Sequence, residues 1–301
     1  MAVRLGINPI TWSNDDVPEL GGDISLETCL SETREAGFLG SELGGKFPRV
    51  AAELRAVLEQ HDLQLVSGWW DGRILERDVD DEFEAMTPHV TLLRDVGADV
   101  VVYADTSGGR HDAIWQPISD RPRLEAGDWD GYGRKLTALA ERLADFGVRM
   151  AFHHHMGTIV ETAEEIDRLM DISGPAVGLL FDSGHCAFSG ADPVGLVTRH
   201  AARVVHVHCK DVRAAVLERA RRDDMSFMGA VLDGVFTVPG DGSIDFSRIL
   251  AVLHDAGYAG WLVVEAEQDP KKADPFTYAR MGHDNLRALA QSAGFTVAVR
   301  S

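Results

Sequence analysis

Short apolar runs alternate with longer amphipathic ones along the whole chain. The short runs are rich in β-branched and aromatic residues, and several are apolar throughout, as parallel strands buried on both faces should be. This pattern predicts strands over residues 3–7, 38–43, 63–69, 100–103, 148–153, 177–181, 204–208 and 261–265. The runs between them have helical spacing. Over residues 132–146, for example, Leu136, Leu139, Leu143 and Phe146 recur at intervals of three and four.

The residues between these runs support the same division. Gly37, Gly97, Gly147 and Gly257 each close a helical run just before a strand, where a left-handed residue ends a helix. Thr162 with Glu165 reads as a capping box. Asp192-Pro193 and Asp274-Pro275 each place Asp at a helix N-cap and Pro at the first helical position. Eight strand-then-helix units with short links and no linker-like stretch predict an α/β protein, a single parallel (β/α)8 TIM barrel forming one domain over 1–301. A doubly wound open sheet is the architectural alternative. Its dinucleotide-binding form is weakened because no GxGxxG follows the first strand. The longest irregular stretches, 107–128 and 221–241, are candidate active-site loops.

Composition narrows the picture. A barrel of this kind uses roughly 250 residues, and the chain has 301. With 45% hydrophobic and 26% charged residues it is neither disordered nor fibrous. Forty-eight acidic against 29 basic residues leave a net charge of −19. That charge opposes nucleic acid or an anionic membrane as partner, since both reward clustered Lys and Arg. Most of the acid reads as solvated surface. Cys29, Cys186 and Cys209 form no CxxC pair and leave one over, so a disulfide scaffold is not expected and a reducing cytoplasm is. No run of about 18 apolar residues predicts a membrane span, and the N-terminus lacks the blocks of a secretory signal.

In such barrels the chemistry sits at the C-terminal strand ends. Those positions hold Asn8, Glu42, Trp69 and Trp70, Tyr103 with Asp105, His153-His154-His155, Asp182 with His185, His206 and His208 with Lys210, and Glu265 with Glu267. Asp182 and His185 suit a divalent metal or a proton-transfer pair; the competing reading is a capped turn at Ser183-Gly184. His206, His208 and Lys210 share one face of an extended strand. There His208 is the better ligand, His206 a hydrogen-bonded core histidine, and Lys210 a hydroxyl or proton partner or an ion pair with Asp211. His153 and His155 share a face, with His154 turned away. Glu265 ends an apolar run and needs a partner or a metal, whereas Glu267 reads as outward or solvated. Glu161 precedes the Thr162 cap and is either a first-turn glutamate or a ligand. Asp182, Glu265, Glu161 and His208 form an oxygen-rich set that favours Mn2+, Co2+ or Mg2+ over a structural zinc site. Gly240-Asp241-Gly242 weakly resembles a phosphate-cradling turn.

Phe181-Asp182-Ser183-Gly184-His185, His206-Val207-His208-Cys209-Lys210-Asp211 and Gly257-Tyr258-Ala259-Gly260-Trp261 through Glu265, in that order, resemble the xylose-isomerase-like metal barrels. That superfamily contains sugar isomerases, epimerases, dehydratases and apurinic endonucleases. Within it, Gly6-Ile7-Asn8-Pro9-Ile10-Thr11-Trp12, Gly45-Lys46-Phe47-Pro48 and His153-His154-His155-Met156-Gly157-Thr158 resemble the inosose dehydratases of inositol catabolism. The resemblance covers essentially the whole chain. It implies a hydro-lyase that takes water from 2-keto-myo-inositol to give a trihydroxycyclohexane-dione. It also implies a Mn2+ or Co2+ cofactor (Mg2+ or Zn2+ as alternatives), a polyol ketone as small-molecule partner, and a homo-oligomer by family habit. Asp182, His208 and Glu265 match the family's metal ligands.

At the fifth strand end the superfamily carries glutamate where this chain has His153. The first ligand is therefore His153 itself or Glu161, with Glu161 preferred because a third carboxylate keeps the site hard. The implied mechanism gives the base role to His155 or His153 and the acid role to His185 or Lys210. Asn8, Glu42 and Lys46 would hold ring hydroxyls, and Trp70 or its neighbour Trp69 would pack on the ring. The rival readings are a metal-dependent ketose 3-epimerase or isomerase on the same barrel and a non-catalytic carbohydrate-binding barrel. An apurinic endonuclease fits a chain at −19 poorly.

Overall fold

The computed structural model, which describes residues 1–299, forms a strand at each of the eight apolar runs. Residues 300 and 301 of the expected domain lie outside the described residues. In chain order the strands are β1 (Ala2–Ile7), β2 (Gly40–Leu43), β3 (Gln64–Gly72), β4 (Val100–Asp105), β5 (Arg149–His153), β6 (Val177–Asp182), β7 (Val204–Cys209), β8 (Asp211–Val212), β9 (Phe236–Thr237), β10 (Trp261–Val264) and β11 (Thr296–Val297). Parallel pairing runs from β1 through β7 to β10, and β10 pairs back onto β1. That closure makes a (β/α)8 barrel and rules out the open doubly wound sheet. The pattern of apolar runs did not reveal the two-residue strands. β8 and β9 pair as an antiparallel ribbon, and β11 adds to β1.

The helices are α1 (Leu26–Ala36), α2 (Ala51–Gln60), α3 (Val79–Val96), α4 (Trp129–Phe146), α5 (Ala163–Ile172), α6 (Ser183–Ser189), α7 (Pro193–His200), α8 (Ala214–Arg222), α9 (Phe227–Leu232), α10 (Phe246–Asp255) and α11 (Pro275–Ser292). Their ends follow the local chemistry read from the residues. Gly37 and Gly97 close α1 and α3 at φ 108° and 103°, a region open to glycine without Cβ strain. Both bonds of the Thr162–Glu165 capping box form at α5. Asp192 and Asp274 cap α7 and α11 with Pro at the first turn. β3 outruns its apolar stretch because Asp71 and Gly72 still pair with Ala104 and Asp105 of β4. Of the two expected loops, 107–128 is irregular before α4, whereas 221–241 contains α9 and β9.

The main core lies between sheet and helices, where Leu30, Leu54, Leu93, Leu136, Leu196 and Leu286 are buried. Each such side chain contributes roughly 1.5–3 kcal/mol. Inside the barrel, Val100, Val102, Ala151 and Leu180 form one small cluster, and Val66, Trp261 and Val263 another. Gly40 makes room for the latter: a Cβ there would sit 2.9 Å from Trp261 and 2.6 Å from the Gln64 carbonyl. Toward the strand C-termini this apolar plug gives way to polar side chains. Register shifts in the β2–β3 and β6–β7 ladders flank that change, as bulges beside active sites do.

The amides of the Gly240–Gly242 turn are directed at an anion that the chain itself supplies. The Asp211 carboxylate accepts the amides of Gly240, Gly242 and Ile244 at 3.3, 3.2 and 2.9 Å. Asp211 is therefore engaged by backbone, and no Lys210–Asp211 ion pair is seen among the described residues. No helix among them is long and apolar enough to cross a membrane.

Asp105 ends β4 in a buried position, accepts the Ser107 amide at 3.0 Å, and has its pKa raised to about 6 by burial. Its folded pKa thus exceeds its unfolded one. The proton-bound form is favoured by folding, and its contribution to stability is lost as pH rises from about 4 to about 7. Asp105→Asn should escape that loss. In urea unfolding at both ends of this range, the variant should gain on the wild type by up to about 3 kcal/mol. Parallel pH profiles would refute the assignment.

Candidate active site

Strand alternation turns His153, Asp182, His208 and Glu265 to the inner face of the barrel mouth. His208 Nδ1 lies 2.5 Å from Glu265 Oε2 and 3.5 Å from Asp182 Oδ2, and His153 Nε2 lies 3.8 Å from the same Asp182 oxygen. Ligand atoms of His153, Asp182 and His208 fall within 4.8 Å of one another. Asp182 Oδ2, His208 Nδ1 and Glu265 Oε2 are buried, yet none makes a hydrogen bond of acceptable geometry. Orphaned buried carboxylate oxygens are costly. A divalent cation between these atoms removes that cost, so the residues present fit the metal of the superfamily. The other Asp182 oxygen accepts the His185 amide at 2.8 Å and caps α6. The metal and capped-turn readings of Asp182 therefore both hold, one on each oxygen.

His153 Nδ1 is 2.7 Å from the His154 carbonyl, which can only accept. The proton therefore sits on Nδ1, and Nε2 is left as a lone pair facing Asp182. Glu161, preferred from the sequence as the first ligand, is not brought to this group. Its carboxylate takes the Gly157 amide at 2.8 Å and lies 3.3 Å from Arg121 Nε. Arg121 is itself buried and also holds Glu165 and the Thr158 carbonyl. Removing Glu161 from that pairing would leave a buried guanidinium underpaired. The geometry thus brings His153, and not Glu161, to the Asp182–His208 group.

Beneath the four side chains lies Glu42. Its Oε1 accepts Ser67 Oγ at 2.5 Å, His206 Nε2 at 2.8 Å and His208 Nε2 at 3.2 Å, while Oε2 accepts Asn8 Nδ2 at 2.8 Å. Burial pushes the Glu42 carboxyl up, but His208 and His206 outweigh it and hold it well below the usual range. Burial likewise opposes charge on His208, and the Glu265 and Glu42 carboxylates raise it well above its ordinary value. Glu42 and Asn8, expected to hold ring hydroxyls, both border the cavity above, and their hydrogen-bonding groups also engage each other, the histidines and, through Asn8 Oδ1, the Ile10 amide.

A cavity of about 680 Å3 opens above, bordered by His153, His155, His208, Glu265, Glu267 and Trp69 among others. His155 Nδ1 is 2.8 Å from the Met156 carbonyl, so its Nε2 carries the lone pair. Burial, His111 and Lys210 hold this imidazole well below its ordinary pKa, hence neutral. His185 and Lys210, the expected acids, do not border the cavity. Both are buried behind Glu265. Lys210 Nζ lies 2.6 Å from Glu265 Oε1, 3.0 Å from His185 Nε2 and 4.5 Å above the Phe236 ring. Gly184 makes room for the lysine stem, since a Cβ there would lie 2.5 Å from Lys210 Cγ.

Three further expectations change. Trp70 borders the same cavity, but it gives its indole N–H to Glu82 at 2.9 Å and packs beside His89. The indole facing His153 and His155 is that of Trp69, with ring centroids 5.6 and 5.4 Å away. Lys46 does not border the cavity: Nζ binds the carbonyls of Gly21 (2.8 Å), Gly22 and Ile24, tethering the loop after β1. That loop delivers Asn14, whose Nδ2 donates to Glu267 at 3.0 Å. Glu267, read as solvated, is buried on the cavity wall, and burial lifts its pKa to about 7. The signal for it was its spacing: two residues beyond Glu265, it continues the same inward alternation.

Residues 30–294 match the family described as xylose isomerase-like TIM barrel. The rhizopine catabolism protein MocC of Rhizobium meliloti is 68% identical over 98% of this chain and 91% of its own length. An inosose dehydratase of Geobacillus thermodenitrificans is 43% identical over 95% of this chain and 96% of its own. Among solved structures, the IOLI protein with a bound zinc atom superposes at a TM-score of 0.65 and 16% identity, covering 97% of this chain and 98% of that one.

The two candidates for first ligand separate by calorimetric titration of Mn2+ into chelator-stripped protein. His153→Ala should weaken binding roughly tenfold or more, whereas Glu161→Gln should leave it within about threefold and instead lower thermal stability. The reverse ranking would restore Glu161 as the ligand.

Proposed function

We propose that this chain, which belongs to the xylose isomerase-like TIM barrel family, is an inosose dehydratase, a carbon–oxygen lyase acting in inositol catabolism. Its substrate on this reading is 2-keto-myo-inositol, and its product a trihydroxycyclohexane-dione. The observation that carries the chemistry is His155: a neutral imidazole with its free Nε2 on the cavity, beside the cluster of orphaned donors. The names borne by near-full-length relatives support the substrate, inosose dehydratase at 43% identity and rhizopine catabolism protein at 68%.

His153, Asp182, His208 and Glu265 would hold the divalent cation. Two imidazoles with two carboxylates suit Mn2+ or Co2+, with Mg2+ less favoured by the nitrogen donors and Zn2+ also accepted. When bound, the cation supplies Lewis acidity at the ketone and stabilises negative charge on the neighbouring carbon. His155 Nε2 takes the α-proton as the C–H bond breaks and a carbon–carbon double bond forms. The resulting imidazolium returns that proton to the β-hydroxyl as its C–O bond breaks, the ketone re-forms and the double bond moves to the α and β carbons; water leaves, no other acid is required, and the enol so formed tautomerises to the dione. Lys210 and His185 brace Glu265 from behind. Asn14 and Glu267 present a polar wall to ring hydroxyls, and Trp69 offers an apolar face to the ring. Lys46 keeps the Asn14 loop in place.

The same reading places one barrel domain in the cytoplasm as a homo-oligomer, with no nucleic acid or membrane as partner. Three buried free cysteines and the charge of −19 accord with it.

One assay tests the function. Chelated protein, reconstituted with Mn2+, Co2+, Mg2+ or Zn2+, should dehydrate 2-keto-myo-inositol, followed by ultraviolet absorbance, and do so only when metal is present. Epimerisation of a free ketose without inosose dehydration would overturn the reading. Within the active enzyme, His155→Gln should lower kcat by about 10²- to 10⁴-fold while metal affinity is kept.

A further inference from the structure

We infer that Glu42 is a positioning residue that fixes which nitrogen of His208 faces the cation, an inference that rests on the metal-dependent reading of the site. An imidazole has two ring nitrogens, and only the one without a proton can bind a metal. His208 presents Nδ1 to Asp182 and Glu265, so with a cation seated there Nδ1 would be the ligand and the remaining proton would sit on Nε2. Glu42 Oε1, 3.2 Å from Nε2, is the acceptor that holds it there. A carboxylate accepts only, so the direction of this bond is not free to reverse.

The polarity is set further back as well. The Ile10 amide can only donate, and it donates to Asn8 Oδ1 at 2.9 Å. Asn8 is thereby turned so that its Nδ2 donates to Glu42 Oε2 at 2.8 Å. Ser67 and His206 add donors to Oε1. Each link from the Ile10 amide to His208 Nδ1 has one allowed direction. Residues of β1's end, β2, β3 and β7 meet at this carboxylate, so its position is fixed by the barrel. Glu42, His206 and His208 also meet the distance requirement for a cation of their own. The Ser67 and Asn8 donors on Glu42, however, mark it as the hub of a hydrogen-bonded group.

The test is calorimetric titration of Zn2+ into chelator-stripped full-length protein, together with nitrogen-15 imidazole spectra of the zinc-loaded form. In the wild type, His208 should appear with Nε2 protonated and Nδ1 bound to metal. Glu42→Gln removes the acceptor-only carboxylate and should weaken Zn2+ affinity about 10- to 100-fold, with mixed His208 tautomers. Ser67→Ala removes one donor but leaves the carboxylate on His208, and should stay within about threefold of wild type. The inference is overturned by wild-type affinity in Glu42→Gln, by an equal loss in Ser67→Ala, or by a wild-type His208 protonated on Nδ1. A wild type that binds no Zn2+ overturns the metal reading as well. A wild type that binds Zn2+ as described but fails to dehydrate inosose overturns only the proposed function.

Discussion

The mouth of the barrel is organised around buried negative charge. Glu42, Asp182, Glu265 and Glu267 all lie within the protein, where a carboxylate without a partner costs several kcal/mol. Each is handled differently. Glu42 is surrounded by donors from three other strands or their ends. Asp182 gives one oxygen to the helix it caps and leaves the other bare. Glu265 rests on the Lys210 ammonium, which the Glu265, Asp182 and Glu267 carboxylates keep charged against the effect of burial. Glu267 meets Asn14 and lies 3.9 Å from the same ammonium. Of these carboxylates, Asp182 and Glu265 each leave an oxygen unsatisfied, and those two oxygens converge with His208 Nδ1, as the donors of a cation site would.

That arrangement depends on the fold beneath it. Period-two alternation sends His153, Asp182, His208 and Glu265 inward from four different strand ends, which no single loop could do with the same rigidity. The apolar plug of Val100, Val102, Ala151, Leu180, Trp261 and Val263 closes the barrel below them. Charge in the mouth is thereby confined near the open end. Loops then complete the walls. Lys46 pins the first loop to bring Asn14 to Glu267, and Arg121 pins the fourth against the fifth through Glu161, Glu165 and Thr158.

The residues legible from the sequence are those whose role follows from strand periodicity. Asp182, His208 and Glu265 end apolar runs, and the runs fix their faces. Glu267 obeys the same rule, but it was read as solvated because the apolar run stops at Val264 and nothing apolar marks the strand's continuation. Roles that depend on contacts between distant segments were not legible. Glu161 and Arg121 are 40 positions apart in sequence, so the ion pair that removes Glu161 from the metal group leaves no local trace. Lys46 likewise lies beside a family-like stretch, yet its partners are backbone carbonyls more than 20 residues earlier. The bulge in the β2–β3 ladder, which shifts the register across Ser41 and Leu43, also escapes a strictly alternating pattern.

His153 has consequences beyond ligand count. A glutamate there would add a third negative charge and could carry a proton on its free oxygen. The imidazole can do neither, since Nδ1 is fixed by the His154 carbonyl and Nε2 faces Asp182. With two carboxylates in place of three, a divalent cation held there would be neutralised and not overcompensated, and would retain more power to polarise a ketone. The proton transfer that a metal-bound carboxylate would otherwise serve must then fall to a group outside the donor set. His155 stands two residues on, on the same inner face, with its own Nδ1 tied to the Met156 carbonyl. Its Nε2 is left neutral and open to the cavity. On the proposed reading, the replacement at one strand end and the imidazole two residues later form a single arrangement, in which holding the cation and moving the proton would fall to separate imidazoles.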